Sequence, residues 1–265
     1  MEPLKLGNQG PKVKRLQQEL KIHGFNPGAI DGDLSPATEA ALLNFQHSQG
    51  LIADGIAGPR TFKALGLSET DKTPNVIPHI NSRLVSEMFP GAHIGAIKKN
   101  LPYVLNALEG VGLTEKPLVL MTLATVRAET AGFEPISEYI SRYNTSPDGH
   151  PFDNYDYRLD IGNSGPPDGE RYRGRGYVQL TGRDNYAIYG RNIGLGEQLL
   201  NEPERANEPD IAAKLLASFI KSKERPIKEA LAENDFATAR KLVNGGRHGL
   251  DAFTWTYQKG ESLLA

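Results

Sequence analysis

The chain has 265 residues, 38% hydrophobic and 23% charged, enough apolar content to bury a core and too much for wholesale disorder. Thirty basic against 32 acidic residues give a formal charge of -2, so no strong global field is available to hold nucleic acid or an anionic membrane. Cysteine is absent, which excludes disulfides, thiolate nucleophiles, Cys-ligated zinc and iron–sulfur clusters.

The length fits two domains. The opening Met1 to Gly7 has no basic stretch followed by a long apolar run, so no export signal is expected. The most apolar stretch, Pro117 to Val126, is too short to span a bilayer. The expectation is a chain made in the cytosol and not inserted in a membrane.

Residues 4–67 repeat themselves. Asp31-Gly32-Asp33-Leu34-Ser35-Pro36-Ala37-Thr38 recurs 23 residues later as Asp54-Gly55-Ile56-Ala57-Gly58-Pro59-Arg60-Thr61. In each copy Asp-Gly suits a turn, and the proline suits a first helical position, where its missing N–H costs nothing. Gly10-Pro11 supplies a third such start, followed by Val13, Leu16, Gln17 and Leu20 at helical spacing. The pattern predicts three short helices around Leu16, Leu20, Phe25, Leu42, Phe45, Leu51 and Leu65. Domain 1–67 is followed by a linker at 68–78, whose start, Ser68 to Asn75, is polar and poor in apolar residues.

The remainder, 79–265, reads as predominantly helical. Ile94, Ile97, Leu101, Val104, Leu105 and Leu108 recur at three and four, ending at Gly110 and Gly112. Thr114 can cap a largely buried helix, Leu118 to Thr130, with Pro117 in its first turn. Further helices are expected at 183–192, 208–222, 226–233, 235–243 and 250–262, and a small β element near 170–180. Between 131 and 180 the chain is rich in Gly, Pro, Asn, Asp and Tyr; a loop of that length in a compact domain is usually functional.

Glu129 falls at the end of the apolar helix and opens into this loop. It could pair with a base such as Arg127 or Lys116 on a solvated face. Alternatively, burial and the negative end of the helix dipole could keep it protonated as a proton donor. Nine residues on lies Glu138. One continuous helix would set the two about 13 Å apart on opposite faces, but Gly132 and Pro135 break it. The chain can then fold back and bring both carboxyls to one cleft. Two carboxyls flanking a glycosidic bond are the minimum apparatus for its hydrolysis; a gap of roughly 6.5–9.5 Å gives inversion and roughly 5 Å retention.

Two family resemblances follow from these residues. Leu4 to Leu20, then Asp-Gly, Thr, Phe-Gln, Gly-Leu, Asp-Gly, Gly and Thr in order, resemble the peptidoglycan-binding type 1 family; Ser35 stands where that family usually has glycine. This implies a wall anchor; His23, Phe25, Asn26 and Gln46 are candidates either for glycan contact or for structure. Glu129-Thr130-Ala131-Gly132-Phe133, Glu138, the run Tyr172 to Tyr186 and Val243-Asn244-Gly245-Gly246 resemble glycoside hydrolase family 19, most closely its lysozyme-type endolysin members. The closest chitinase-type motif has His where this chain has Ala128, and the long insert between the two glutamates of the plant enzymes is missing. Both departures favour the endolysin branch.

The second resemblance implies a lysozyme-like, mainly α catalytic domain that needs no cofactor. Glu129 is then the general acid and Glu138 the base of an inverting reaction, with Thr181 helping to hold the water. Gln179, Asn185 and Asn244 would bond the sugar's acetamido and hydroxyl groups, for which amides carry donors and acceptors; for Asn185 and Asn244, loop capping is the plainer role. Arg175, with Arg173 and Arg183, could pair with the glutamates, meet the acidic stem peptide or form structural salt bridges. Tyr139 belongs to a dense set with Tyr143, Tyr155, Tyr157 and Tyr172, available for sugar stacking or for packing. Glu170 and Asp168 stand in reserve as the base.

The reading is a monomeric phage-type endolysin that binds peptidoglycan and cuts its β-1,4 bonds as a muramidase. It would be made in the host cytoplasm and act in the periplasm after release. A chitinase and a non-catalytic wall-binding protein are the alternatives. The six histidines are scattered without a His-Glu-x-x-His motif or a close pair, so a zinc amidase or peptidase is the weaker enzyme; His150 and His248 lie near Asp148, Asp153 and Asp251 without ligand spacing.

Overall fold

The computed structural model describes residues 3–67, 74–246 and 248–264. The chain forms two compact units, Met1–Lys72 and Thr73–Ala265. Most of the expected linker, 68–73, lies outside the described residues. Its last part belongs to the second unit: Val76 N donates to Thr114 O at 3.0 Å, and Val76 and Ile77 are buried in that unit's core.

The first unit contains α1 (Pro11–Ile22), α2 (Pro36–Ser48) and α3 (Pro59–Ala64), each beginning on the proline that the repeat marks. The repeat is built around two buried glutamines. Gln17 Nε2 donates to Asp31 Oδ1, Asp33 O and Thr38 Oγ1, while its Oε1 accepts from Gly32 N. Gln46 does the same one copy later, donating to Asp54 Oδ1, Ile56 O and Thr61 Oγ1 and accepting from Gly55 N. Each amide thus satisfies a whole Asp-Gly turn from inside, where an unpaired polar group would cost about 1–3 kcal/mol. Gln46 is therefore occupied structurally, whereas His23 is exposed with its ring edge against Phe45. Leu16, Leu20, Leu42, Phe45 and Leu65 form the core with Val13, Leu34 and Phe62. Phe25 is only partly buried, packing its edge on Phe45, and Leu51 is half-buried beyond the end of α2.

The second unit is mainly α. It runs α4 (Ser82–Met88), α5 (Ile94–Gly110), α6 (Lys116–Thr130), β1 (Ile136–Ser137), α7 (Asp168–Arg171), β2 (Arg175–Gly176), α8 (Arg183–Asn192), α9 (Gln198–Asn201), α10 (Pro209–Ser222), α11 (Glu224–Ala232), α12 (Phe236–Asn244) and α13 (Leu250–Leu263). The helices at 183–192, 208–222, 226–233, 235–243 and 250–262 fall where the apolar spacing places them, within two residues at each end. Helix α6 is the central element: every residue from Leu118 to Val126 is buried, and α10, α11 and α13 pack on it. A helix apolar all round can only sit inside other helices. Among the described residues no helix is long and apolar enough to cross a membrane.

The chain turns sharply where α6 ends. Ala131 and Phe133 adopt positive φ of 52° and 61°, a conformation that costs non-glycine residues of order 1–3 kcal/mol each. Phe133 is held there by full burial against Phe89 and Tyr177 and by Asn100 Nδ2, which donates to its carbonyl at 2.9 Å. The turn feeds β1, which pairs antiparallel with β2, Ile136 opposite Gly176 and Ser137 opposite Arg175. Strand β2 is the β element expected near 170–180, β1 lies outside that expectation, and their pairing fixes Glu138 beside the Gly-Arg-Gly segment.

Candidate active site

Glu129 is carried by the last turn of α6, and its partner is neither Arg127 nor Lys116. Arg240 Nη2 of α12 lies 2.7 Å from Glu129 Oε1; the Arg240 side chain is fully buried and that of Glu129 12% exposed. Burial pushes the Glu129 carboxyl above its ordinary range, against the opposing pull of Arg240 and, more weakly, His248. Desolvation outweighing a single ion pair is the condition for a carboxyl that carries a proton to higher pH than usual. Arg240 Nε donates to His248 O at 3.0 Å, and Asn244 Nδ2, one turn along α12, donates to the same carbonyl at 3.2 Å. Asn244 Oδ1 accepts from Gly246 N. Asn244 thus engages His248 O and Gly246 N, with its amide occupied at both ends.

Glu138 sits in a different environment. Its Oε1 accepts from Tyr155 OH at 2.9 Å and Asn144 Nδ2 at 3.0 Å, and its Oε2 from Gly174 N at 3.2 Å. All three neighbours present donors, and both Glu138 oxygens accept. Burial and the Glu138 charge push the Tyr155 hydroxyl up, so it remains a donor.

The loop that supplies these donors is tied by buried polar side chains. Asn144 Nδ2 also donates to Tyr139 O, and Asn144 Oδ1 accepts from Ser141 N. Asp156 Oδ1 accepts from Gly169 N, and its Oδ2 pairs with His150 Nε2 at 2.9 Å. Asn163 links Tyr155 O to Arg183 N, and Asp153 accepts from Ser146 through backbone and side chain. Every one of these bonds replaces water on a chain segment with little apolar core of its own.

Gln179 and Thr181 share this locality. A Cβ placed on Gly174 would lie 2.9 Å from Gln179 Oε1, 3.1 Å from Glu138 Oε2 and 3.3 Å from Thr181 Oγ1, so three oxygens converge on that glycine. Gln179 is held at φ 51° by Nε2 bonds to Ile136 O and Gly176 O. Thr181 Oγ1 donates to Gln179 O, and Asn185 Nδ2 donates to Thr181 O at 2.7 Å. Asn185 therefore braces Thr181 from the first turn of α8.

Arg175 is only 4% exposed and shapes the loop from within: its Nη1 donates to Arg171 O, Arg173 O and Tyr186 OH. Burial pushes the Tyr186 hydroxyl up to about 12. The arginine's reach toward Glu129 or Glu138, open in the sequence, is not seen; no ion pair joins it to either. Tyr139 is 75% exposed, as is Tyr143. Asp168 is buried, accepting from Ser164 N and facing Arg183 at 3.6 Å, while Glu170 is exposed.

Arg240, Asn144 and Tyr155 are the site groups that sequence reasoning left unassigned to these carboxylates. A signal existed for Arg240: it shares the buried face of α12 with Ala239 and Val243, where an arginine needs a counter-charge.

Residues 9–65 match the family model "Putative peptidoglycan binding domain". The chain is 47% identical over 74 residues to the zinc D-Ala-D-Ala carboxypeptidase of Streptomyces albus G, covering 26% of this chain and 28% of that protein. It is 37% identical over 99 residues to a glycosyl hydrolase family 19 domain-containing protein of Haemophilus influenzae, covering 37% of this chain and 44% of that protein. The alignments thus span less than half the length of these relatives. The crystal structure of chitinase C from Streptomyces griseus superposes with a TM-score of 0.51 at 23% identity, over 70% of this chain and 76% of that one, a likeness of fold. The chain therefore carries a peptidoglycan-binding domain at residues 9–65, shares a likeness of fold with chitinase C over 70% of its length, and is similar in sequence over 99 residues to a family 19 domain-containing protein.

Proposed function

We propose that the protein is a cell-wall glycoside hydrolase: the first unit binds peptidoglycan and the second cuts its β-1,4 glycan bond between N-acetylmuramic acid and N-acetylglucosamine. The observation that carries the reading is the contrast between two carboxyls joined by one short turn. Glu129 is desolvated and raised above the ordinary carboxylate range, whereas Glu138 accepts three hydrogen bonds. The carboxyl raised by burial suits the acid, and the one ringed by hydrogen-bond donors suits the base. Glu129 then protonates the leaving oxygen, and Arg240 stabilises the carboxylate left behind. Glu138 takes the proton of a water that Thr181 helps to orient, in front of Gly174 where three oxygens already converge. Attack by that water on the face opposite the leaving group makes the reaction inverting. Gln179 and Asn185 reach the acetamido and hydroxyl groups directly or through Thr181, and Tyr139 offers an open ring face for a sugar.

The test is digestion of purified peptidoglycan by the full chain and by Glu129→Gln, with borohydride reduction and mass spectrometry of the fragments. Reduced muramic acid ends, missing with the variant, are expected. Reduced glucosamine ends would make it a glucosaminidase, and new amines would overturn the glycosidase reading. Proton NMR of the first product anomer tests inversion. Cleavage of chitin oligomers without action on peptidoglycan would establish the chitinase alternative, which the fold of chitinase C keeps in view.

A further inference from the structure

Beside β2 lies a cavity of about 400 Å³ whose lining includes Arg171, Arg173, Arg175, Glu170, Asn201 and Glu204. Two features of its arginines are left over from the site described above. Arg175 spends Nη1 on three oxygens, yet its Nε is buried with no hydrogen-bond partner. Arg173 is half-buried with its guanidinium 5.4 Å above the Phe152 ring, and Nη1 donates to Glu170 O. Among the described residues no carboxylate comes within ion-pair distance of Arg173; Glu170 and Glu138 act on it only at longer range, while burial and Arg175 oppose its charge.

Arg173 brings to this lining a half-buried guanidinium with no carboxylate partner among the described residues, which is a place for an acceptor from outside. Three arginines against two glutamates leave one net positive charge in the lining, which suits a monoanion and disfavours a phosphate dianion. A planar carboxylate matches the guanidinium fork. The position matters as well. Arg173 and Arg175 flank Gly174, whose N–H holds Glu138, so a group bound here is held by the neighbours of the residue that positions the proposed base.

We propose that this cavity binds a carboxylate of the peptide stem carried by the glycan strand, and that it lets the enzyme distinguish peptidoglycan from an uncharged N-acetylglucosamine polymer. This rests on peptidoglycan being the substrate. The test is calorimetric titration of the full chain with the tripeptide L-Ala-γ-D-Glu-meso-diaminopimelate, alongside its form with every carboxylate amidated and inorganic phosphate. The tripeptide binds, the amidated form binds at least about tenfold more weakly, and Arg173→Gln and the more exposed Arg171→Gln each weaken the tripeptide by a similar factor. Circular dichroism of both variants checks the fold, and the amidated peptide tests the idea without any substitution. No binding by the wild type, equal binding of the amidated form, or phosphate binding as tight as the tripeptide overturns the proposal. Glycan cleavage is scored separately: tripeptide binding that Arg173→Gln weakens, without any cleavage, would sink the hydrolase reading and leave the cavity standing, whereas binding that neither variant weakens belongs to the first unit and overturns the cavity. Equal cleavage rates on intact and stem-stripped strands would sink the cavity and leave the hydrolase.

Discussion

Arg240 reaches from α12 to within 2.7 Å of Glu129 at the end of α6, and it does so from a fully buried position. The pair joins residues 111 positions apart in the chain and sets a formal positive charge against the raised carboxyl from a position that water does not reach. Removing one partner of such a pair leaves a buried charge, at a cost of about 3–5 kcal/mol when the survivor stays ionised.

The first expectation concerns that survivor. In Arg240→Met the Glu129 carboxyl loses its main stabilising charge, so its pKa rises further. The alkaline limb of kcat/KM should move to higher pH, while stability at neutral pH drops by about 3 kcal/mol and recovers partly in acid as Glu129 protonates. A pH–rate profile together with urea unfolding at two pH values checks both parts; an unmoved limb would remove Glu129 from the acid role.

Glu129 itself sets a pH dependence of stability. Its carboxyl is raised in the folded protein, chiefly by burial, so the folded state binds more protons than the unfolded one between the ordinary glutamate pKa, about 4.3, and the raised value. The resulting contribution is fully present below the unfolded pKa and is lost as pH rises through the folded one. Urea midpoints measured from pH 4 upward should therefore fall more steeply in the wild type than in Glu129→Gln, which has no proton to lose at that position.

Tyr155→Phe removes one charge-assisted bond to Glu138 Oε1 and leaves the ring in place. Bonds to charged groups are worth about 1.5–3 kcal/mol, so kcat should fall about 10- to 100-fold with KM little changed. Asn144→Leu should cost stability as well as rate, because Asn144 is fully buried and also ties Ser141 and Tyr139. Steady-state kinetics and thermal melting separate the two effects.

Gly174→Ala is the sharpest steric test. The added methyl would meet Gln179, Glu138 and Thr181 oxygens at 2.9–3.3 Å, all of them ends of side chains that can shift by a few tenths of an ångström. Stability should change by about 1 kcal/mol or less, whereas a displaced base and a filled water position should cost about 100-fold in kcat. A variant as active as the wild type would show that the space in front of Gly174 is not used by the reacting water.

Much of this architecture is local and was therefore legible. Proline at a first helical position, Asp-Gly turns and apolar residues at three and four specify α1 to α3, α8 and α10 to α13, because those preferences act within a few residues of each other. The continuous apolar run at Leu118–Val126 declared a central helix, since no surface position tolerates it. Glu129 and Glu138 stand out by where they fall, at a helix end and after a Gly/Pro break.

What those carboxyls touch was decided by tertiary structure alone. Arg240 arrives from 111 residues downstream, Gly174 through the β1–β2 register, and Asn144 and Tyr155 through a loop whose path is fixed by buried side-chain hydrogen bonds instead of periodicity. A pattern of propensities records which face of an element is apolar; it does not record which distant polar groups that face will meet. Arg175 marks the divide: in sequence it belongs to the most distinctive motif of the chain, yet burial commits Nη1 of its guanidinium to backbone carbonyls and Tyr186. Desolvation, which raises Glu129 and isolates Arg240, exists only once the helices have packed.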